Sequence, residues 1–184
     1  MTFRPDKADA TCELAHATLF IDTIQEEDMN LAEPRFENGP AKLIAGLGGH
    51  YTAETNKGIP ALWERFGPTY MDRVPGQVGG DAYGVCYNFA PNAEIDYLAG
   101  VEVTRFEGLP AELARLSIPP QTYAVFPHAG HVSELSELWM EIFQEWLPKS
   151  GREFFGGPSY ERYAAAFDPK SGTGGMEIWV ALKN

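Results

Sequence analysis

Ala99-Gly-Val-Glu-Val-Thr-Arg105 and Gly174-Gly-Met-Glu-Ile-Trp-Val180 are two versions of one stretch. Each sets a single glutamate, Glu102 or Glu177, in a run whose apolar residues alternate with the rest, the pattern of a strand with one buried face. The two glutamates are 75 positions apart in a chain of 184 residues, so the repeat predicts two similar half-domains with a shared groove. Alternation also sorts the faces. Met176, Ile178, Val180 and Leu182 share one face and are expected to pack on a helix, whereas Glu177, Trp179 and Ala181 share the other. Val101 and Val103 likewise oppose Glu102 and Thr104. A large apolar side chain such as Trp179 costs ~1.5–3 kcal/mol to leave in water, so its face is expected to be covered or concave.

Working outward, the flanking segments repeat in the same order. The first half opens with a strand at 41–46 that runs into Gly46-Leu-Gly-Gly-His-Tyr51. Pro60 suits the first turn of a helix, Ile59, Leu62, Trp63 and Phe66 fall on one face of it, and Gly67-Pro68 is expected to weaken or end it. Strands at 82–89 and 95–106 follow. In the second half a strand at 121–126 leads to Ala129-Gly-His-Val132, which echoes Gly48-Gly-His-Tyr51. Ser133 is a plausible N-cap for a helix whose stripe is Leu135, Leu138, Trp139, Ile142, Phe143 and Trp146, ending by Pro148 and Gly151. Strands at 160–167 and 175–182 close the chain. The expected class is α+β: duplicated β-α-β-β modules, about 35–110 and 111–184, forming an antiparallel sheet with pseudo-twofold symmetry. Residues 1–34 form an N-terminal extension, where Leu14, Ala17, Ile21 and Ile24 favour a short helix although 17–24 also reads as a strand.

Composition limits the function. At 44% hydrophobic content the chain can bury a substantial core as one domain. Its 26 acidic against 14 basic residues give a net charge of −12, which argues against direct nucleic-acid binding through phosphates and favours a cationic or neutral partner. Cys12 and Cys86 fit neither a disulfide framework nor a zinc site. No apolar run reaches membrane-spanning length, and the first 28 residues lack a signal-peptide pattern, so a cytoplasmic protein is expected, with no membrane partner. His50 and His131 have no companion ligands at metal spacing, Gly46-Leu-Gly-Gly-His lacks the Lys-Ser/Thr end of a phosphate loop, and no Gly-x-Ser-x-Gly occurs. No metal and no cofactor are expected.

Several ordered motifs together carry a family resemblance. They are Ile59-Pro-Ala-Leu-Trp-Glu-Arg-Phe66, Gly79-Gly-Asp-Ala-Tyr-Gly-Val-Cys-Tyr-Asn-Phe89, Asp96-Tyr-Leu-Ala-Gly-Val-Glu-Val103, and Tyr123-Ala-Val-Phe-Pro-His-Ala-Gly-His131. Trp146-Leu-Pro-Lys-Ser-Gly151, Tyr160-Glu-Arg-Tyr163, Phe167-Asp-Pro169 and Glu177-Ile-Trp179 complete a pattern over 35–184. The chain resembles the GyrI-like family, the effector-binding domain of AraC- and MerR-type regulators, here in a stand-alone form. That resemblance implies a central ligand groove between the modules and multidrug-type binding of amphipathic, cationic or aromatic compounds. It also implies Glu177 as charge anchor with Trp179, and Trp63 and Trp139 near the groove; pseudo-symmetry adds Glu102, and Tyr87 and Tyr163 join as candidates because they precede Glu102 and Glu177 by 15 and 14 residues. No helix-turn-helix is legible, so any role in transcription regulation is expected to run through a separate regulator chain. Two alternatives stand beside this reading. One is a hydrolase of strained electrophiles such as cyclopropanoid compounds, with Glu177 or Glu102 as general base and Tyr87 as proton donor. The other is an interaction protein directed at gyrase.

Overall fold

The computed structural model describes residues 31–90 and 94–183; the helix expected near residues 14–24 lies outside them. Eight strands form one antiparallel sheet in the order β1-β6-β8-β7-β3-β4-β2-β5. In chain order they are β1 Arg35–Gly39, β2 Lys42–Tyr51, β3 Gln77–Tyr87, β4 Ile95–Val103, β5 Ala114–Ile118, β6 Gln121–His128, β7 Ser159–Tyr163 and β8 Met176–Leu182. Helix α1, Ile59–Tyr70, joins β2 to β3. Helix α2, Leu135–Glu141, continues through a π-helical stretch, Ile142–Trp146, into a last turn, α3 Leu147–Lys149, on the way from β6 to β7. Both halves are β-α-β-β, and the strand order is the same read from either end, with β3 and β7 paired at the seam. The fold is α+β with two modules related by a pseudo-twofold. No helix among the described residues is long and apolar enough to cross a membrane.

Two strands were not expected. β1 pairs with β6 of the other module, and β5 pairs with β2, so each half lends its first strand to its partner. Both are five-residue edge strands; β1 is polar and mostly exposed, and β5, although Ala114, Leu116 and Ile118 alternate with Arg115 and Ser117, is too short for that pattern to decide. The turns after them carry Pro40 and Pro119-Pro120, where a missing N–H costs no ladder bond. The helix expected to falter at Gly67-Pro68 instead runs to Tyr70 with Pro68 inside it. Its buried face, Leu62 and Phe66, packs into the core of the first module and holds the turn in place.

The sheet has two buried faces, for different reasons. On one, α1 covers Ala45, Tyr97, Ala99 and Val101, and the α2 segment covers Ala124, Phe126, Ile178 and Val180. On the other none of the described helices lies, yet Ile44, Val85, Leu98, Val125 and Ala181 are fully buried. This second cluster is made from strands alone and includes Ile118 of β5 beside Tyr123 and Val125 of β6, from near opposite ends of the sheet. The sheet therefore curls until its own side chains fill its concave interior. Gly46 and Gly100, paired across β2 and β4, allow this: a Cβ on either would lie closer to the facing backbone than any side chain tolerates.

Candidate functional site

Strand parity at the seam decides what each side chain meets. On β7, Glu161 and Tyr163 point to the helices while Tyr160 and Arg162 point into the concave interior. On β3 the residue opposite Glu161 is Gly84. A Cβ there would sit 2.5 Å from Glu161 Oε2 and closer still to the Tyr97 hydroxyl, so only glycine leaves room for the carboxylate.

Glu161 is 9% exposed, and its oxygens are held entirely by aromatic donors. The hydroxyls of Tyr97 and Tyr163 each donate to Oε2 at 2.8 Å, and the Trp139 indole N–H donates to Oε1 at 2.9 Å. Trp63 extends the chain by donating to the Tyr97 hydroxyl at 2.9 Å. None of the ion pairs among the described residues includes Glu161. Burial pushes its carboxyl above the usual carboxylate range, and the three donated hydrogen bonds offset only part of that. The result is a buried acid with aromatic walls and no cation.

Trp63 and Trp139 stand on the two helices at equivalent places, and each touches the cores of both modules. Trp63 meets Tyr163 edge-on at 5.2 Å, while Trp139 stacks on Phe143 at 5.8 Å, inside the stretch where the helix widens to π geometry. Both indoles are half-buried.

The residues predicted from sequence divide between the two faces. Trp63, Trp139 and Tyr163 surround Glu161, whereas Glu177, Trp179, Glu102 and Tyr87 belong to the concave face. They cannot form one site. Glu177 does project away from its helix beside Trp179, as the alternation requires, but its charge is already matched. Arg35 lies 2.7 Å and Arg162 3.2 Å from it, and the Trp179 N–H donates to it at 2.9 Å. Burial alone would raise its pKa; the hydrogen bonds from Trp179, Arg35 and Arg162 bring it below the ordinary value. A carboxylate so stabilised is a poor charge anchor and a weak base. Glu102 is paired in the same way with Lys42 at 2.6 Å. Tyr87 packs beside the concave cluster with neither glutamate among its hydrogen-bond partners, and it does not share the face of Tyr163.

Glu161 escaped the sequence reading because Tyr160-Glu-Arg-Tyr163 looks like an ordinary amphipathic edge, with the glutamate hidden between an arginine and a tyrosine. Two signals pointed to it. Glu161 shares parity with Tyr163, and Gly84 stands between Tyr83 and Val85 at the opposing register of β3. His50 and His131 play the modest parts expected. His50 contacts Asp96 and Glu94, and His131 caps the turn before α2 by accepting from the Ser133 N–H. No group of three metal-ligating side chains occurs among the described residues.

Comparison with known proteins places this architecture. Residues 32–183 match the GyrI-like small molecule binding domain, so the chain belongs to the GyrI-like family. Transcriptional regulator BrlR of Pseudomonas aeruginosa is 31% identical over 141 residues, covering 74% of this chain and 52% of that protein. The chain thus spans about half the length of this curated relative. Among solved structures, SAV2435 bound to tetraphenylphosphonium superposes with a TM-score of 0.65 at 18% identity, covering 83% of this chain and 94% of the other. The integron cassette protein VCH_CASS2 of Vibrio cholerae gives 0.62 at 19%, covering 83% and 97%. These likenesses show the fold, and the family match makes the chain a small-molecule-binding domain.

Proposed function

We propose that this domain holds amphipathic organic cations between α1 and the α2 segment, with Glu161 as the charge anchor and Trp63, Trp139, Tyr97 and Tyr163 as the walls. The observation that carries the reading is a buried carboxylate with aromatic donors on both oxygens and no basic partner. Removing a carboxylate from water without a counter-ion is costly, and a cation entering beside it recovers that cost. Aromatic faces contribute ~0.5–2 kcal/mol per good cation contact and impose little directional demand, which suits varied lipophilic ligands. Entry requires Trp63 and Trp139 to swing aside, each giving up a hydrogen bond that a bound cation replaces by direct attraction to Glu161.

This reading places the anchor at Glu161 rather than Glu177, because the two arginines leave Glu177 no charge to offer. A tetraphenylphosphonium ligand on the fold neighbour SAV2435 is consistent with such a site. The likeness to Transcriptional regulator BrlR supports a role in which ligand occupancy of this domain is passed on to a DNA-binding partner segment or chain. The test is a tryptophan-fluorescence titration with tetraphenylphosphonium and its neutral analogue triphenylphosphine oxide. The cation should quench saturably and raise Tm, and the neutral compound should bind about tenfold more weakly or worse. Equal affinity for both compounds would show that no charge anchor operates.

A further inference from the structure

The concave face has its own opening. At one end of the curled sheet, a cup of about 420 Å³ is floored by Tyr83, Tyr160 and Trp179 and rimmed by charged side chains. Its volume falls in the range of small-molecule sites, and it is separated from Glu161 by the thickness of the sheet.

Two features of the cup are unusual for a region that only has to pack. The first is the floor. Tyr160 is 1% exposed and stacks on Trp179 at 5.4 Å, yet its hydroxyl has no hydrogen-bond partner among the described residues. Behind it, the Tyr123 hydroxyl is also buried without a partner, with the two rings 5.3 Å apart. Tyr160 lines the cup, and its hydroxyl, with no protein partner among the described residues, is available to donate to an occupant. The second feature is the rim. Lys42 pairs with Glu102 at 2.6 Å, and Arg162 bridges Asp81 at 2.7 Å and Glu177 at 3.2 Å. Arg35 closes the series on Glu177 and also pairs with Glu37. Cations and carboxylates thus alternate around the opening with neither sign in marked surplus.

Such a rim discriminates by charge type. A simple anion could bind only by taking a cation from its carboxylate, stranding that carboxylate in a half-buried place, and a simple cation would strand an arginine or lysine. A molecule with both charges can give its ammonium to Glu102 as its carboxylate takes Lys42, while Glu177 keeps Arg162 when Arg35 turns to the ligand. The ring faces on the floor are covered now by cations, Arg35 at 5.8 Å over Trp179 and Lys42 at 5.2 Å over Tyr83. An aromatic group can take the place of Arg35 over Trp179 when Arg35, 43% exposed, swings to the rim and keeps its pair with Glu37.

We propose that this cup is a second ligand site, selective for compact aromatic zwitterions. The carboxylate of the ligand lies between Arg35 and Lys42 and accepts from the Tyr160 hydroxyl. Its ammonium lies against Glu102 and Asp81, and its ring rests on Trp179. Nothing in this assignment depends on cation binding at Glu161.

The experiment compares three probes that differ only in charge: L-phenylalanine, phenylacetate and phenethylamine, titrated into the full chain by calorimetry. L-Phenylalanine should bind saturably, and each single-charge analogue should bind at least about tenfold more weakly. Tyr160→Phe should weaken L-phenylalanine by about three- to tenfold while leaving tetraphenylphosphonium affinity unchanged. Trp63→Ala should do the reverse, which also confirms that each variant is folded. The proposal is overturned if L-phenylalanine shows no saturable binding by about 10 mM, if the three probes bind alike, or if Trp63→Ala rather than Tyr160→Phe removes its binding.

Discussion

Replacing Gly84 by alanine tests the geometry around Glu161 without touching any polar group. A Cβ at that position would lie 2.5 Å from Glu161 Oε2 and nearer still to the Tyr97 hydroxyl. Tyr97 is 1% exposed and is held by Trp63, so it cannot slide away freely. Overpacking of this kind costs about 1–3 kcal/mol, and breaking the charged hydrogen bond from Tyr97 to Glu161 adds about 1.5–3 kcal/mol, partly overlapping with the first cost. A net loss of about 2–4 kcal/mol is expected, and at about 2–4 °C per kcal/mol for a chain of this size Tm falls by about 5–15 °C. Gly48→Ala is the matched control: it lies in β2 with nothing closer than 3.6 Å to its Cβ position, so it should gain about 0.5–1 kcal/mol. Differential scanning calorimetry reads both variants, and a tetraphenylphosphonium titration of the folded Gly84→Ala protein should show weakened binding. If Gly84→Ala melts with the wild type and binds the cation equally well, the crowded seam is not what positions Glu161.

Other expectations follow from the same coordinates. Because burial raises the Glu161 carboxyl, its ionised form appears only above the ordinary carboxylate range, so cation affinity should climb as pH rises through that raised midpoint. In the absence of ligand the sign for stability is opposite. The folded state holds the Glu161 proton more tightly than the unfolded chain, so this group's contribution to stability declines as pH rises from the unfolded value to the folded one, and chemical denaturation at a series of pH values measures it. Glu177 behaves the other way: its midpoint is lowered, and its contribution is full above the unfolded value and is lost as pH falls through the folded one. With Arg35 and Arg162 both more than a third exposed or close to it, Glu177→Gln should cost only about 0.5–1.5 kcal/mol and blunt the acid sensitivity seen in the same denaturation series. Trp139→Ala should lower tetraphenylphosphonium affinity by about three- to thirtyfold, since it removes one wall, whereas Trp146→Ala, which packs on Phe126 instead, should lower stability and leave affinity within about threefold.

Most of the architecture could be read from residue order. The paired stretches around Glu102 and Glu177 occupy equivalent strands β4 and β8, and the flanking helices carry Trp63 and Trp139 at equivalent points. What the repeat could not convey was the exchange of β1 and β5 between modules, because strand pairing across about 70 to 90 residues leaves no local periodicity. The site was legible only in half. Strand parity correctly sends Glu177 away from the helix, but parity is silent about which glutamate meets a cation of the protein itself. Arg35 comes from an edge strand of unrecognised position, and Arg162 lies directly opposite Glu177 on β7, a register that residue order alone does not fix, so the neutralisation of Glu177 was invisible. Glu161 became conspicuous only once Gly84, Tyr97 and Trp139, from three separate elements, were placed around it.

The charge-anchor assignment is tested most directly by tetraphenylphosphonium calorimetry at neutral pH on Glu161→Gln and Glu177→Gln side by side. A cation about 5 Å from a carboxylate in a medium of effective dielectric about 20 gains about 3 kcal/mol. Glu161→Gln should therefore weaken binding by about 30- to 150-fold, and Glu177→Gln by less than about threefold. A large loss with Glu177→Gln and little change with Glu161→Gln would contradict the account.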